Sequence, residues 1–171
     1  MAIIRHGTVA DAPVLAAFAA RTFSETFAKD NTEADMAAHL ENAYGVAQQA
    51  AELSDANVTT LLAHREHVLV AFAQVRRAVP PAVVPERAAI ELQRFYVDRP
   101  AHGTGVAQLL MGAVFDTVRA LGGRHLWLGV FQNNARAIAF YRKSGFRDVG
   151  AHEFLLGSDR QIDRLMLARV P

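Results

Sequence analysis

The sequence predicts an α/β or α+β fold, one mixed sheet with helices on both faces. Three observations carry this. Val58 to Ala63 and Val68 to Val75 read as a hairpin of β-branched runs, and two further strands, near Val149 to Leu156 and Ile162 to Val170, close the chain. Between them lies a strand, a glycine-bearing loop, a helix and another strand. Antiparallel hairpins combined with a strand–helix–strand crossover demand a mixed sheet, because a crossover joins parallel neighbours. With 171 residues, 51% hydrophobic and 20% charged, one domain over 1–171 is the expectation, and its core needs no metal or disulfide to support it.

The elements follow in order. Met1 to Arg5 reads as a short strand. Thr8 with Asp11 resembles a capping box, and Val14, Leu15, Phe18, Ala19 and Phe23 follow at helical spacing, so a first helix starts near Val9. Thr32 with Asp35 gives a second such start ahead of Met36, Leu40 and Tyr44, and Val46 to Leu53 a third helix. Arg65 and Glu66 are the expected hairpin turn. Pro80, Pro81 and Pro85 break regular structure between Ala78 and Arg87, and Ala88 to Val97 is the next strand. Val106, Leu109, Leu110, Ala113, Val114 and Leu121 keep one helical face until Gly122 and Gly123. Arg124 to Phe131 is a buried strand. Asn133 or Asn134 caps the following helix, which runs to Ser144 and stops at Gly145.

Composition excludes several chemistries. Without cysteine there is no thiolate nucleophile, no Cys-type metal site and no disulfide framework, and the histidines show no metal-ligand spacing, so no metal is expected. Lys+Arg 18 against Asp+Glu 17 leaves no basic excess for phosphate contacts, so nucleic acid is not expected as a partner. No apolar run suits a membrane span and no leader is evident, which predicts a cytoplasmic chain with no membrane partner. Charge is nonetheless uneven: seven acids meet two bases between Arg21 and Asp55, and fifteen bases meet nine acids from Ala56 onward. A cationic ligand is drawn to the first part and a polyanion to the second if the fold keeps them apart; a solvated helical face beside an Arg-rich surface is the plainer alternative.

The segment His102-Gly103-Thr104-Gly105-Val106-Ala107 joins a strand to a helix start, where free N–H groups and the helix dipole suit a phosphate. No Gly-Lys-Ser/Thr follows, and Gln108 stands where a dinucleotide fingerprint wants a third Gly or Ala, so both of those readings fail. Further on, Asn134 and Tyr141 are two helical turns apart and share a face.

Together these segments resemble the GCN5-related N-acetyltransferases (GNAT). The loop is similar to that family's Q/R-x-x-G-x-G/A motif, and Asn134, Ala137, Phe140, Tyr141, Gly145 and Phe146 match N-x-x-A-x-x-F-Y-x-x-x-G-F. Phe23 to Phe27, Glu91 to Val97, Trp127 to Val130, and Gly150 to Phe154 with Gln161 to Asp163 further resemble bacterial PaiA-type spermidine/spermine acetyltransferases. The resemblance implies a mostly antiparallel sheet with one splayed parallel strand pair, Glu91 to Val97 beside Arg124 to Phe131, and acetyl-CoA as cosubstrate. It implies that His102, Gly103, Thr104, Gly105, Val106 and Ala107 hold the pyrophosphate, that the main chain of Tyr96 and Val97 pairs with the pantetheine arm, and that Asn134 and Lys143 contact the cofactor. Tyr141 matches the general acid that protonates the departing thiolate. Glu91 is the candidate base, acting directly or through a water chain; the alternative is a strand acid facing solvent or paired with Arg94. With no cysteine, transfer is direct. The expected acceptor is a polyamine or similar small cationic amine, with Glu25, Glu33 and Asp35 as candidates for its distal ammonium groups. A protein or peptide acceptor, or a CoA-binding regulatory module with little turnover, stands as the alternative, and a homodimer is left open.

Overall fold

A computed structural model describes residues 1–171. Its seven strands are β1 (Ile3–His6), β2 (Val58–Arg65), β3 (Val68–Arg76), β4 (Ile90–Val97), β5 (His125–Phe131), β6 (Arg147–Leu156) and β7 (Asp159–Arg169). They lie in the order β1-β2-β3-β4-β5-β7-β6. Every neighbouring pair is antiparallel except β4 and β5, which α4 joins by the expected crossover. The helices are α1 (Ala12–Phe27), α2 (Glu33–Tyr44), α3 (Val46–Ser54), α4 (Val106–Ala120) and α5 (Ala135–Lys143). None is long and apolar enough to cross a membrane.

Strand alternation sorts the core onto two faces. Leu61, Ala63, Ala71 and Ala73 pack with Leu110, Val114 and Val118 of α4, whereas Leu62, Leu69 and Phe72 pack with Leu15, Phe18 and Phe23 of α1 and Met36 of α2. The proline-bearing loop after β3 buries Val84 against Trp127, Leu165 and Leu167, so it covers one end of the second face.

Both helix-start signals hold in form. The Asp11 carboxylate accepts from the Thr8 N–H at 2.8 Å, and the turn Val9–Asp11 is 3-10 before α1 begins at Ala12. Thr32 Oγ1 accepts from the Asp35 N–H at 3.2 Å. The hairpin turn sits one residue later than expected. Arg65 still pairs with Val68, and Glu66 and His67 take φ of 49° and 68°, because a two-residue loop must match the right-handed twist of its strands.

Two irregularities open the sheet. Arg94 faces Gln74 but Leu92 faces Val75, so Gln93 is an unpaired extra residue in β4, a bulge. It shifts the strand's phase: Leu92, Phe95 and Val97 lie toward α4 and α5, while Arg94 and Tyr96 lie toward α1 and α2. The parallel pair is registered only at Ile90–Leu126 and Glu91–Trp127. Beyond it β4 stays with β3 as far as Val97 and β5 with β7 as far as Phe131, and the two strands part.

Candidate active site

The parting of β4 and β5 forms a cleft of about 1050 Å³ that passes from one face of the sheet to the other. On the α4/α5 side it begins at the glycine loop. Gly103 and Gly105 have φ of +75° and +87°, and nothing stands within 4 Å of either missing Cβ. The N–H groups of Gly103, Gly105, Val106, Ala107 and Gln108 have no partner within the protein. The loop is held from behind, with Thr104 Oγ1 donating to Ala101 O at 2.7 Å and accepting from Arg65 at 3.0 Å. An open loop of positive-φ glycines with several unpaired donors at a helix start fits a diphosphate.

His102, Gly103 and Ala107 line the cleft; Thr104 and Gly105 are exposed beside it, and the Val106 side chain is buried in the core. The His102 ring N–H donates to the Val97 carbonyl at 2.9 Å, fixing the loop to the strand end. Strand parity corrects one expectation. Asp98 N–H donates to Val70 O at 2.8 Å, so Tyr96, two residues back, also turns its main chain toward β3. Phe95 and Val97 face the gap instead, and only the register reveals this. Asn134 lines the cleft and caps α5, accepting from the Ala137 N–H at 3.2 Å. Lys143 is exposed outside the cleft; the cations that line it near the loop and α5 are Arg99 and Arg136.

Tyr141 reaches the cleft from α5, packed by Phe95, Phe140 and Phe146 with ring centroids 6.3, 5.6 and 5.6 Å away. Its hydroxyl makes no hydrogen bond within the protein, and burial pushes its pKa well up, so the phenol keeps its proton across neutral pH. Two buried polar atoms of residues lining the cleft, Trp127 Nε1 and Gln93 Oε1, also lack partners.

The α1/α2 side is a chamber walled by rings: Phe23, Phe27, His39, Tyr44, Phe131 and Phe154. His39 stacks on Phe23 at 4.6 Å, and burial, with Arg94 nearby, lowers its pKa. Arg94 is almost buried, bonded to Glu52, to Gln74 Oε1 at 2.6 Å and to Ala43 O at 3.2 Å, and lies 4.8 Å from the Tyr44 ring centre. Tyr44 and Tyr96 join their hydroxyls at 3.2 Å. Glu91 therefore does not pair with Arg94. Its Oε2 is held by Arg76 at 2.6 Å, the residue that the β3–β4 register sets opposite it.

The three acids proposed for an acceptor are dispersed. Glu25 lines the cleft and pairs with Arg21 at 3.3 Å. Glu33 is exposed away from it. Asp35 is also outside, its Oδ1 accepting from Ser158 N–H and Oγ–H at 2.6 and 2.8 Å and so tying α2 to the β6–β7 turn. The cleft instead contains Asp30, His152 and Asp163, which the sequence did not single out as site residues.

Comparison with known proteins agrees with this geometry. The profile of the acetyltransferase (GNAT) family matches residues 20–146. An uncharacterized N-acetyltransferase of Mycobacterium tuberculosis is 33% identical over 157 residues, covering 92% of this chain and 96% of the relative. Among solved structures, the PaiA N-acetyltransferase of Thermoplasma acidophilum in complex with coenzyme A superposes with a TM-score of 0.80 at 18% identity, covering 99% of each chain. A ribosomal-protein-alanine N-acetyltransferase of Brucella melitensis does so at 0.71 with 25% identity, covering 98% of this chain and 99% of that one. The chain belongs to the GNAT family of acetyltransferases.

Proposed function

We propose that the protein transfers the acetyl group of acetyl-CoA directly to a primary amine of a small cationic molecule, a polyamine such as spermidine or spermine. The observation that carries this reading is the two-sided cleft: an open loop of main-chain donors on one face of the sheet and a ring-walled chamber with acids on the other. Acetyl-CoA supplies an activated thioester whose acyl carbon an uncharged amine can attack. The chain's residues do the rest. The amides of Gly103 and Gly105 and of the first turn of α4, with Arg99 and Arg136 nearby, hold the diphosphate. Phe95 and Val97 offer main-chain N–H groups at the open edge of β4, where a donor stabilises charge growing on a carbonyl oxygen. Tyr141, kept protonated by burial, gives a proton to the departing sulfur.

The chamber suits an alkylammonium chain. Its rings pack methylenes and attract cations. Arg94 and Arg76 are each matched by an acid, and Glu25 and Asp30 stand with Lys29 among the lining residues. A peptide N-terminus is the second reading, favoured by the 25% identity to a protein whose acceptor is a ribosomal protein's alanine. A thiol-release assay with acetyl-CoA and a panel of acceptors tests both. Spermidine and spermine are expected to release thiol faster than unrelated amines and faster than alanine-initiated peptides. Equal release from all amines removes the polyamine, and preferential release with the peptides moves the acceptor to a protein terminus.

A further inference from the structure

Gly129 leaves a gap in the wall of the chamber. It lies on β5 between Trp127 and Phe131, facing the same side as both. A Cβ at this position would stand 3.3 Å from Asp163 Oδ2 and 3.5 Å from His152 Nε2. The two polar side chains come from different strands, β7 and β6, and are cross-strand partners. They converge on the notch without bonding each other, since no N–O contact within 4.0 Å joins them. Neither makes a side-chain hydrogen bond to any other group. Both polar atoms therefore border the opening that the missing side chain of Gly129 leaves.

We propose that the Gly129 notch seats the acceptor nitrogen, with Asp163 holding it as an ammonium and His152 taking the proton that must leave before attack. This rests on the acetyl-transfer reading above and names its missing proton acceptor. Several other titratable groups line the cleft from neighbouring elements. Arg94 of β4 is held by Glu52, Glu91 by Arg76, and His39 of α2 is stacked on Phe23; Lys29 and Asp30 follow α1 among the residues lining the cleft. Asp163 is half-buried and makes no ion pair; burial raises its pKa, and the His152 ring nearby works against that rise. Tyr141 approaches from the other face of the sheet. One side of the cleft thus removes a proton from the attacking nitrogen and the other supplies one to the leaving sulfur.

The balance closes. R–NH3+ gives one proton to His152, which passes it to solvent. The nitrogen lone pair forms the C–N bond as the C–S bond breaks, and the sulfur keeps that electron pair and takes the Tyr141 proton. A second N–H proton, lost as the amide forms, restores Tyr141 through solvent. One proton is released per acetyl group moved.

The test compares two acceptors: the primary amine with the highest turnover in the panel, and a hydrazide, which is uncharged at neutral pH. H152Q is expected to lose about 10²-fold in kcat with the amine, the scale of a missing general base, and less than about 3-fold with the hydrazide. D163N is expected to raise KM for the amine by about 10-fold with little effect on the hydrazide, as loss of a charge-assisted hydrogen bond implies. G129A, whose methyl group fills the notch, is expected to raise KM for both. Unchanged CoA affinity and a melting temperature no lower than wild type serve as folding controls. Equal losses of H152Q on both acceptors, or none on the amine, overturn the assignment and leave acetyl transfer standing. A wild-type protein that binds acetyl-CoA and acetylates neither acceptor overturns both.

Discussion

Arg94 ties the chamber to the fold, and removing its counter-ion gives a sharp test. Its guanidinium and the Glu52 carboxylate have side chains only 9% and 10% exposed. Breaking a buried pair by deleting one partner costs about 3–5 kcal/mol, because the remaining charge is left unmatched. In E52A, Arg94 keeps Gln74 Oε1, Ala43 O and the Tyr44 ring, contacts that offset part of this loss. A net cost of about 3 kcal/mol is expected, the low end of that range. Gln74 Nε2 loses an acceptor too, but retains Thr60 Oγ1 at 3.3 Å. For a chain of this size each kcal/mol lowers Tm by roughly 2–4 °C, so E52A should melt about 6–12 °C lower. Urea unfolding at pH 7 with an unchanged m-value measures the free energy directly. The double variant E52L/R94M, which replaces both charges with apolar groups, should recover most of the loss. A drop below 1 kcal/mol in E52A, or no recovery in the double variant, refutes the account of Arg94 as a buried charge sustained by one carboxylate.

Three further outcomes follow from the site. Tyr141→Phe should lower kcat by about 10² or more while acetyl-CoA affinity measured by calorimetry is unchanged; an unaltered rate takes the phenol out of the reaction. Gly105→Ala forces a side chain into a left-handed conformation at φ +87°, which costs about 1–2 kcal/mol. It should weaken CoA binding by about 10-fold, and binding as tight as wild type would show that the loop tolerates another shape. Asp163→Asn should stabilise the protein at pH 7. Burial raises the folded-state pKa of Asp163, so its charged form is disfavoured by folding and wild-type stability falls as pH rises from the unfolded value near 3.9 through the folded one. The gap between variant and wild type in urea midpoint should be full at pH 7 and close near pH 3; a gap of the same size at both pH values would trace it to something other than ionisation.

Local signals were the readable part of the sequence. Thr8 and Asp11, Thr32 and Asp35, and Asn134 each announce a helix start within a few residues, and each cap is present because its partner is close in the chain. The glycine loop was legible for the same reason. What escaped depended on register. Glu91 meets Arg76 rather than Arg94 because of the strand alignment around Gln93, and no spacing in the sequence encodes that alignment. Asp35 is engaged by Ser158, 123 positions away, so its carboxylate serves the fold although its neighbourhood is acidic. His152 and Asp163 lie on separate strands and converge above a glycine of a third; a scan for metal-ligand spacing passes over such a pair.

Where β4 and β5 separate, the sheet has an edge in its own interior. Elsewhere an unpaired edge invites another chain and becomes a hazard, but here helices flank it on both faces, and a slender linear guest is the natural complement. On the reading proposed above, such a guest would complete the missing rungs, and a saturated protein should be stiffer than an empty one. At a hundred times its dissociation constant it would add about 2.7 kcal/mol to global stability. Each catalytic cycle would then alternate between a finished and an unfinished sheet, with the empty interval the one in which limited proteolysis should cut fastest.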